Sequence, residues 1–192
     1  MPVEIEAKLS VPDHEAVRAC LQECGAVQNQ SCLETNTFFD TEDRSLLAAD
    51  EGLRLRKQVD LTTRETSFVL TFKGPRRHGV LKNRDEVEAG VLNDRDTINF
   101  LSCLGYLRVI SFEKRRESWK LGDCSVELDL LPHLGTFVEI EGPDEATILK
   151  VREQLRLTDR PMVKTSYVAL MITHLQEQND TSRTVTFASA QR

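Results

Sequence analysis

The 192-residue sequence lacks the features of membrane, secreted and nucleic-acid-binding proteins. No apolar run approaches the ~18 residues of a membrane helix, and charged residues at 4, 6 and 8 stand where a signal peptide would have an apolar core. Lysine and arginine total 25 against 31 acidic residues, a net charge of −6, so no basic excess is available to displace counterions from a nucleic acid. We therefore expect a cytoplasmic protein with no membrane or nucleic-acid partner.

Metal-ligand spacings of cysteine and histidine are also missing. The five cysteines include no CxxC pair, and the four histidines form no HxxH or HxxxH motif. This excludes the usual zinc sites and gives no support to a Cys/His nucleophile pair. We expect the thiols to be reduced and mostly buried, as is usual in the cytosol.

Alternation between apolar and charged residues is what the sequence has in abundance. In VEIEAKL (3–9), two glutamates and a lysine fall on one face of an extended strand and apolar residues on the other. About eight segments alternate, mostly in hairpin-like order, with helical spacing at several places that include 162–175. The pattern predicts an α+β fold, an antiparallel sheet or barrel with peripheral helices. Residues 1–175 would form a single domain, and the polar segment 176–192 a mobile tail.

The charges on these strands are segregated by sign. Arg54 and Arg56 share a basic face, whereas Glu139 and Glu141 share an acidic one. Each strand could simply expose its charged face to water. However, like charges two residues apart repel each other unless a counter-ion or ligand compensates. Turned into a barrel, acidic rows would suit a hard cation such as Mg²⁺ or Mn²⁺, and basic rows would suit phosphate oxygens.

Taken in order, these rows resemble the CYTH family. Its hallmark is ExExK near the N-terminus, and EIEAK (4–8) matches it fully. The similarity continues through LRLR, TFKG, RDEVE, EKRR, LDLL, GTFVEIE and KTSY, and it covers roughly residues 2 to 175. The family includes class IV adenylyl cyclases, inorganic tripolyphosphatases and thiamine triphosphatases.

The resemblance implies a closed eight-stranded antiparallel β-barrel, called a triphosphate tunnel, with Mg²⁺ or Mn²⁺ bound inside. The implied substrate-binding residues are Lys8, Arg54, Arg56, Lys73, Arg84, Lys114, Arg116 and Lys164. The implied metal ligands are Glu4, Glu6, Glu86, Asp129, Glu139 and Glu141. Lys8 and Lys114 are the candidate catalytic residues.

Three segments, TFKGP, LGYL and LPHLGTFVEIEGP, look most like the cyclase branch of the family. That branch would convert ATP to cyclic AMP and pyrophosphate. Hydrolysis of tripolyphosphate or of another organic triphosphate uses the same tunnel and stays open, as does a non-catalytic polyphosphate-binding module. Tyr167 could pack in the core or approach the tunnel mouth. The partner would be a small-molecule triphosphate, ATP or tripolyphosphate, and the protein a monomer or homodimer.

Overall fold

The structure is a computed structural model that describes residues 3–77 and 81–191. Its strands coincide with the alternating segments of the sequence, because alternation separates an apolar face from a charged face. The strands are β1 Val3–Val11, β2 Val27–Asp40, β3 Gly52–Asp60, β4 Thr66–Lys73, β5 Lys82–Val91, β6 Leu107–Leu121, β7 Cys124–Leu131, β8 Gly135–Glu141 and β9 Thr184–Val185. The helices are α1 Glu15–Glu23, α2 Ser45–Ala48, α3 Asp94–Cys103, α4 Glu145–Gln154 and α5 Tyr167–Glu177, with a final 3₁₀ turn at Ser189–Gln191.

The first eight strands close into a barrel. Their order is β2-β3-β4-β5-β1-β8-β7-β6, and a further pairing between β2 and β6 joins the two ends. This closing pair is antiparallel and runs from Val27 opposite Lys120 to Asp40 opposite Leu107. The predicted closed eight-stranded antiparallel barrel with peripheral helices is therefore confirmed.

The apolar faces of the strands point outward and are covered by helices. Leu21 of α1 and Ile148 of α4 pack with Ile140 of β8 in the largest core cluster. A second cluster joins α2 and α3 to β3, and a third joins α5 to β6 and β8. Because the outward faces are apolar and covered, the charged rows of the same strands point into the barrel.

Helix α5 begins five residues later than the sequence predicts. Met162 instead bridges Leu9 of β1, and the Val163 N–H donates to the Lys8 carbonyl over 2.7 Å. The helix starts after Ser166, whose side chain accepts from the Ala169 N–H, as N-cap serines commonly do. Residues 162 and 163 therefore pair with β1 instead of forming the first turn of the helix, and this pairing places the KTSY segment beside Lys8.

The C-terminal segment is more closely attached than its polar composition predicts. Thr184 and Val185 pair in parallel with Ser111 and Phe112 of β6, and Val185 is only 2% exposed. The Phe187 N–H also donates to Glu113 over 2.8 Å. Val185 and Phe187, whose ring centre lies 4.7 Å from the Arg115 guanidinium carbon, anchor this segment. Two apolar residues in a polar stretch are too few to predict such an attachment from the sequence. The division at residue 175 stays a prediction.

Two further expectations concern the whole chain. Among the described residues, no helix is both long enough and apolar enough to cross a membrane. All five cysteines are unpaired; three are buried, and Cys24 and Cys103 are exposed.

Candidate active site

A cavity of about 1250 Å³ occupies the barrel interior. Its lining contains every predicted substrate-binding residue, and every predicted metal ligand except Asp129: Lys8, Arg54, Arg56, Lys73, Arg84, Lys114, Arg116 and Lys164, with Glu4, Glu6, Glu86, Glu139 and Glu141. The inward rows that alternation predicted therefore meet in one space, large enough for a small-molecule ligand.

One part of the lining is an acidic cluster formed by Glu4, Glu6, Glu86 and Glu141. Glu6 lies directly opposite Glu141 in the β1–β8 pairing, an arrangement in which like charges repel. The Lys73 ammonium lies 2.7 Å from Glu4 and 2.8 Å from Glu86, so one lysine serves two carboxylates. Glu141 lies at the solvent-accessible edge of this cluster.

The carboxylates of this cluster outnumber the cations beside them. Burial, and then the carboxylates of Glu4, Glu86 and Glu6, raise the pKa of Glu141 to about 7. Burial also raises the pKa of Glu4 above its usual range. Elevated carboxyl pKa values in a group of like charges are typical of a site that lacks a further cation. Within residues 3–77 and 81–191, however, no group of three or more His, Cys, Asp or Glu side chains has a geometry that could hold a metal ion.

Arg54 and Arg56 of β3 form a basic region beside the acidic cluster, since the Arg54 guanidinium lies 3.9 Å from Glu86 and 3.5 Å from Glu88. Burial, and then the neighbouring charge of Arg56, lower the pKa of Arg54 to about 10. In the described part of the chain, the buried Nε atoms of both arginines have no hydrogen-bond partner. Unsatisfied buried donors are costly, and anionic oxygens of a ligand would satisfy them.

Glu34, which sequence analysis missed, holds the basic region together from behind. It is fully buried, and its Oε2 lies 3.2 Å from the Lys114 ammonium and 3.5 Å from Arg56. Burial alone would raise the pKa of Glu34, but Lys114 and Arg56 outweigh it and hold this pKa well below its usual range. Glu34 shares a face of β2 with Asn36, two residues further along the strand.

Asp129 lies behind the lining and is fully buried. It accepts two hydrogen bonds from Arg116, at 2.7 and 2.6 Å, and further ones from Lys114 and from the Tyr167 hydroxyl. These contacts occupy both carboxylate oxygens. The geometry thus favours Asp129 as the residue that positions Arg116 and Lys114, rather than as a metal ligand.

Lys8 is almost fully buried where β1 passes α5. Its ammonium lies 3.7 Å from Glu139 and 3.9 Å from the centre of the Tyr167 ring. Burial is the main cause that lowers the pKa of Lys8 to about 8, and the nearby Lys82 contributes. Tyr167 lines the cavity and also packs edge-on against Phe137. Both alternatives considered for Tyr167 therefore hold.

Three cations of the lining show how the charges are distributed. Lys82, also missed in the sequence, pairs with Glu6 over 2.8 Å. It stands two residues before Arg84 on the same face, so the row simply begins earlier than we expected. Arg84 and Lys164 also line the cavity; within the described ranges neither has a carboxylate partner. Both can contact an anion without first giving up an ion pair.

The fold is a closed antiparallel barrel in which acidic and basic side chains of several strands line one cavity. The sequence matches the CYTH domain family over residues 2–167. The chain belongs to this family, which confirms the resemblance seen in its motifs.

Individual relatives agree with this assignment. Adenylate cyclase CyaB of Aeromonas hydrophila is 31% identical over 161 residues, which cover 80% of this chain and 76% of that protein. The PH1819 protein of Pyrococcus horikoshii OT3 has the same fold, with a TM-score of 0.77, 24% identity and coverage of 89% of this chain and 99% of that chain. HpAC1 from Hippeastrum, an adenylyl cyclase candidate with a dominant triphosphatase activity, also shares the fold, with a TM-score of 0.65, 18% identity and coverage of 91% and 96%.

Proposed function

We propose that this protein is a metal-dependent enzyme that acts on a triphosphate inside the barrel, most like a class IV adenylyl cyclase that converts ATP to cyclic AMP and pyrophosphate. The observation that carries the proposal is the joint presence, in one cavity, of an acidic cluster with raised carboxyl pKa values and of Arg84 and Lys164, which have no carboxylate partner among the described residues. A metal and a triphosphate bound together would satisfy both. The relationship to CyaB of Aeromonas hydrophila supports the cyclase over other members of the family.

The residues present fit a divalent cation. Glu4, Glu6, Glu86 and Glu141 offer the carboxylate oxygens that Mg²⁺ and Mn²⁺ prefer. Burial and the neighbouring carboxylates raise the pKa of Glu141, an effect that a bound cation would oppose. When bound, the ion would neutralise phosphate charge and hold the substrate in register. It would compete with Lys73 for the acidic cluster. Glu139 is the weaker candidate ligand, because it already pairs with Lys8 and Arg116.

The basic residues would hold the phosphates. Arg54 and Arg56 line the cavity, and their buried Nε donors have no hydrogen-bond partner among the described residues. A guanidinium binds phosphate oxygens through a bidentate fork. Arg84 and Lys164 have no ion pair in the described residues to break first. Lys73 would become available to phosphate if a metal took over its carboxylates.

In the cyclase reaction the ribose 3′-hydroxyl oxygen forms a bond to the α-phosphorus, and the bond from this phosphorus to the bridging oxygen of pyrophosphate breaks. The hydroxyl proton must leave as that bond forms. Lys8 and Lys114 line the cavity, and one of them would accept this proton or stabilise charge on the phosphate. Positioning and charge stabilisation account for most catalysis of this kind.

Hydrolysis is the second candidate, favoured by the dominant triphosphatase activity of HpAC1. Water would attack the terminal phosphorus, and the same basic groups would hold the substrate. A third possibility, of a different class, is a module that binds polyphosphate without turning it over. It would use the basic region alone.

A product analysis tests these alternatives. The purified protein is incubated with ATP, tripolyphosphate and thiamine triphosphate, with Mg²⁺ or Mn²⁺, and each product is identified. We expect cyclic AMP and pyrophosphate from ATP, and their loss in Arg54→Ala. Orthophosphate from any substrate would support hydrolysis instead. Thermal stabilisation by tripolyphosphate without any product would support the binding module, and the absence of both turnover and stabilisation would refute the proposal.

A further inference from the structure

The chain that follows α5 runs along one border of the cavity. Asp180, Thr181 and Ser182 line the cavity and are also exposed to solvent, so they lie where the cavity opens to the outside. We call residues 178–187 the C-terminal strap. The match to the family ends at residue 167, so the strap lies outside it, and none of the roles assigned above to metal or phosphate uses the strap.

The first end of the strap is held by the last turn of α5. The His174 ring, in that turn, stacks on the His133 ring in the connection between β7 and β8, with 5.0 Å between centroids and 22° between planes. The Asp180 N–H donates to the Leu175 carbonyl over 2.8 Å. These contacts place the start of the strap beside the β7–β8 connection.

The other end of the strap is attached to a free edge of β6. Arg115 of β6 pairs with Leu130 of β7, and the pairing of these two strands continues from there towards the C-terminal end of β6. On the N-terminal side of Arg115, β9 takes the place of β7, with Ser111 opposite Thr184. The Ser111 N–H also donates to the Arg183 carbonyl over 2.8 Å. An edge of this kind offers unpaired backbone groups to an added strand, which explains why the strap attaches there.

The attachment of the strap to β6 is small. Two residue pairs join β9 to β6, and Val185 alone is buried among the ten residues of the strap, all of which the structure describes. Val185 packs in the same apolar cluster as Met171 and Leu175 of α5. A segment with few buried contacts opens locally more readily than the core of a protein. The strap can therefore detach from β6 while the barrel stays folded.

The position of the strap determines what its detachment would do. Between its two attachments, Thr181 and Ser182 lie at the border of the cavity, and Val168 and Ile172 of the adjoining α5 also line the cavity. We propose that the C-terminal strap controls access to the cavity. When attached to β6 it narrows the opening at this end, and when detached it allows molecules to enter and leave. This inference goes beyond the proposed function, because it concerns access and holds whichever reaction takes place inside.

Limited proteolysis measures how often the strap detaches. Trypsin can cleave after Arg183 only once the neighbouring Thr184 has left β6, so the cleavage rate reports the detached fraction. Val185→Ala removes two methyl groups from a buried site and should raise this rate about tenfold. Val27→Ala is the matched control, because Val27 is 62% exposed at the start of β2; its rate should equal that of wild type. Cleavage after the exposed Arg64 serves as the reference and should be the same in all three proteins.

The labelling rate of a thiol inside the cavity measures access. Ile172→Cys places this thiol in the lining, in a background in which serine replaces the two exposed cysteines, Cys24 and Cys103. Fluorescein maleimide is the bulky reagent and iodoacetamide the small one. In this background Val185→Ala should raise the labelling rate with the maleimide about tenfold, in parallel with the detached fraction, and the rate with iodoacetamide less. Val27→Ala should change neither rate.

The two measurements together decide the inference. Faster cleavage after Arg183 together with faster maleimide labelling in Val185→Ala supports it. Faster cleavage with unchanged labelling would show that the strap detaches without controlling access. Unchanged cleavage would show that Val185 does not hold the strap. Either of the last two results would overturn the inference.

A second variant replaces Val185→Ala if that change loosens the whole barrel, which faster cleavage after Arg64 would reveal. Phe187→Ala removes a ring that lies 4.7 Å from the Arg115 guanidinium carbon and belongs to none of the three apolar clusters. It should raise both rates about threefold, the equivalent of one exposed cation–π contact. Neither measurement uses a triphosphate, so failure of this inference leaves the proposed function in place, and an absence of turnover leaves this inference in place.

Discussion

Glu139 and Glu141 stand two residues apart on the same face of β8, yet their surroundings are opposite. Glu139 lies 2.7 Å from Arg116 and 3.7 Å from Lys8. Although its burial would raise the pKa of Glu139, Lys8 and Arg116 outweigh that effect and hold it far below the usual range. Glu141 faces Glu6 across the β1–β8 pairing, and its pKa is raised to about 7.

The difference shows that the barrel interior is divided into two electrostatic regions. On the Glu139 side, each carboxylate is the counter-ion of a cation built into the chain. On the Glu141 side, carboxylates outnumber cations and a further positive charge is needed. The acidic side would attract a metal ion, and Arg84 and Lys164, which have no carboxylate partner among the described residues, would attract a polyanion.

The largest expected effect comes from breaking the neutralised side. Arg116→Met would remove the guanidinium that pairs with both buried carboxylates, Asp129 and Glu139. Removing one partner of a buried ion pair typically costs about 3–5 kcal/mol of unfolding free energy, which urea denaturation can measure.

Arg18→Met provides the matched control for this experiment. Arg18 also pairs with a glutamate, Glu117, but on the outside of the barrel, where the two side chains are 37% and 26% exposed. Such pairs are worth below about 1 kcal/mol. Similar losses in the two variants would show that the interior pairs are as weak as surface ones.

Replacing each β8 glutamate by glutamine tests the comparison directly. In EDTA, Glu139→Gln should destabilise the fold by about 1–3 kcal/mol, because Lys8 and Arg116 lose a buried charged partner. Glu141→Gln should change stability by about 0.5 kcal/mol or less, towards higher stability, because repulsion with Glu6 is relieved.

For the affinity of the protein for Mn²⁺, measured by calorimetry, we expect Glu141→Gln to have a larger effect than Glu139→Gln. Glu141→Gln should weaken it about tenfold or more, at least the loss typical of residues that only support a metal ligand. Glu139→Gln should weaken it less. If Glu139→Gln has the larger effect on Mn²⁺, the metal belongs on the other side of the cavity.

Much of this division could be predicted from the sequence. A period of two fixes which residues share a face, so the charged rows of β1, β3 and β8 followed from alternation. Their inward direction and the closed barrel followed from the resemblance of the ordered motifs to the family. Alternation does not indicate which residues of a row reach the cavity and which are buried behind it. Asp129 and Glu139 look alike in sequence, but only Glu139 reaches the cavity.

Residues that act across strands were the ones missed. Glu34 was overlooked because the next two residues of its row, Asn36 and Phe38, are uncharged. Its importance comes from Lys114 and Arg56 on neighbouring strands. The late start of α5 has the same origin. Helical spacing in 162–166 is a local signal, whereas the pairing of Met162 with Leu9 depends on residues more than 150 positions away in the chain.

The acidity of Glu141 gives a third prediction, about pH. A proton and a divalent cation compete for this carboxylate, so Mn²⁺ affinity should rise roughly tenfold between about pH 6 and pH 8, as Glu141 loses its proton around pH 7. Glu141→Gln should bind Mn²⁺ more weakly, with a flatter pH dependence. An unchanged pH profile in that variant would assign the titration to another group.

When no metal is present, titration of Glu141 should make the folded protein less stable as pH rises, whereas Mn²⁺ affinity should increase with pH. Its pKa is raised from an ordinary 4.5 to about 7 in the folded protein. Between these two values the folded state binds a proton that the unfolded state has lost, so this group lowers stability as pH rises through that window. Saturating Mn²⁺ should remove the decline, because the cation replaces the proton.

The smallest expected effect is that of Tyr167→Phe, a change on the Glu139 side of the barrel interior. Tyr167→Phe removes the 3.0 Å hydrogen bond to Asp129 but keeps the ring beneath Lys8, so it should cost about 1 kcal/mol of stability and leave Mn²⁺ affinity unchanged. Tyr106→Phe, in the α3 cluster, is the control, since the Tyr106 hydroxyl makes no hydrogen bond among the described residues. Because Tyr167 contacts Asp129 and Lys8 and none of the acidic cluster, a change in Mn²⁺ affinity in Tyr167→Phe would mean that the two regions are coupled rather than independent.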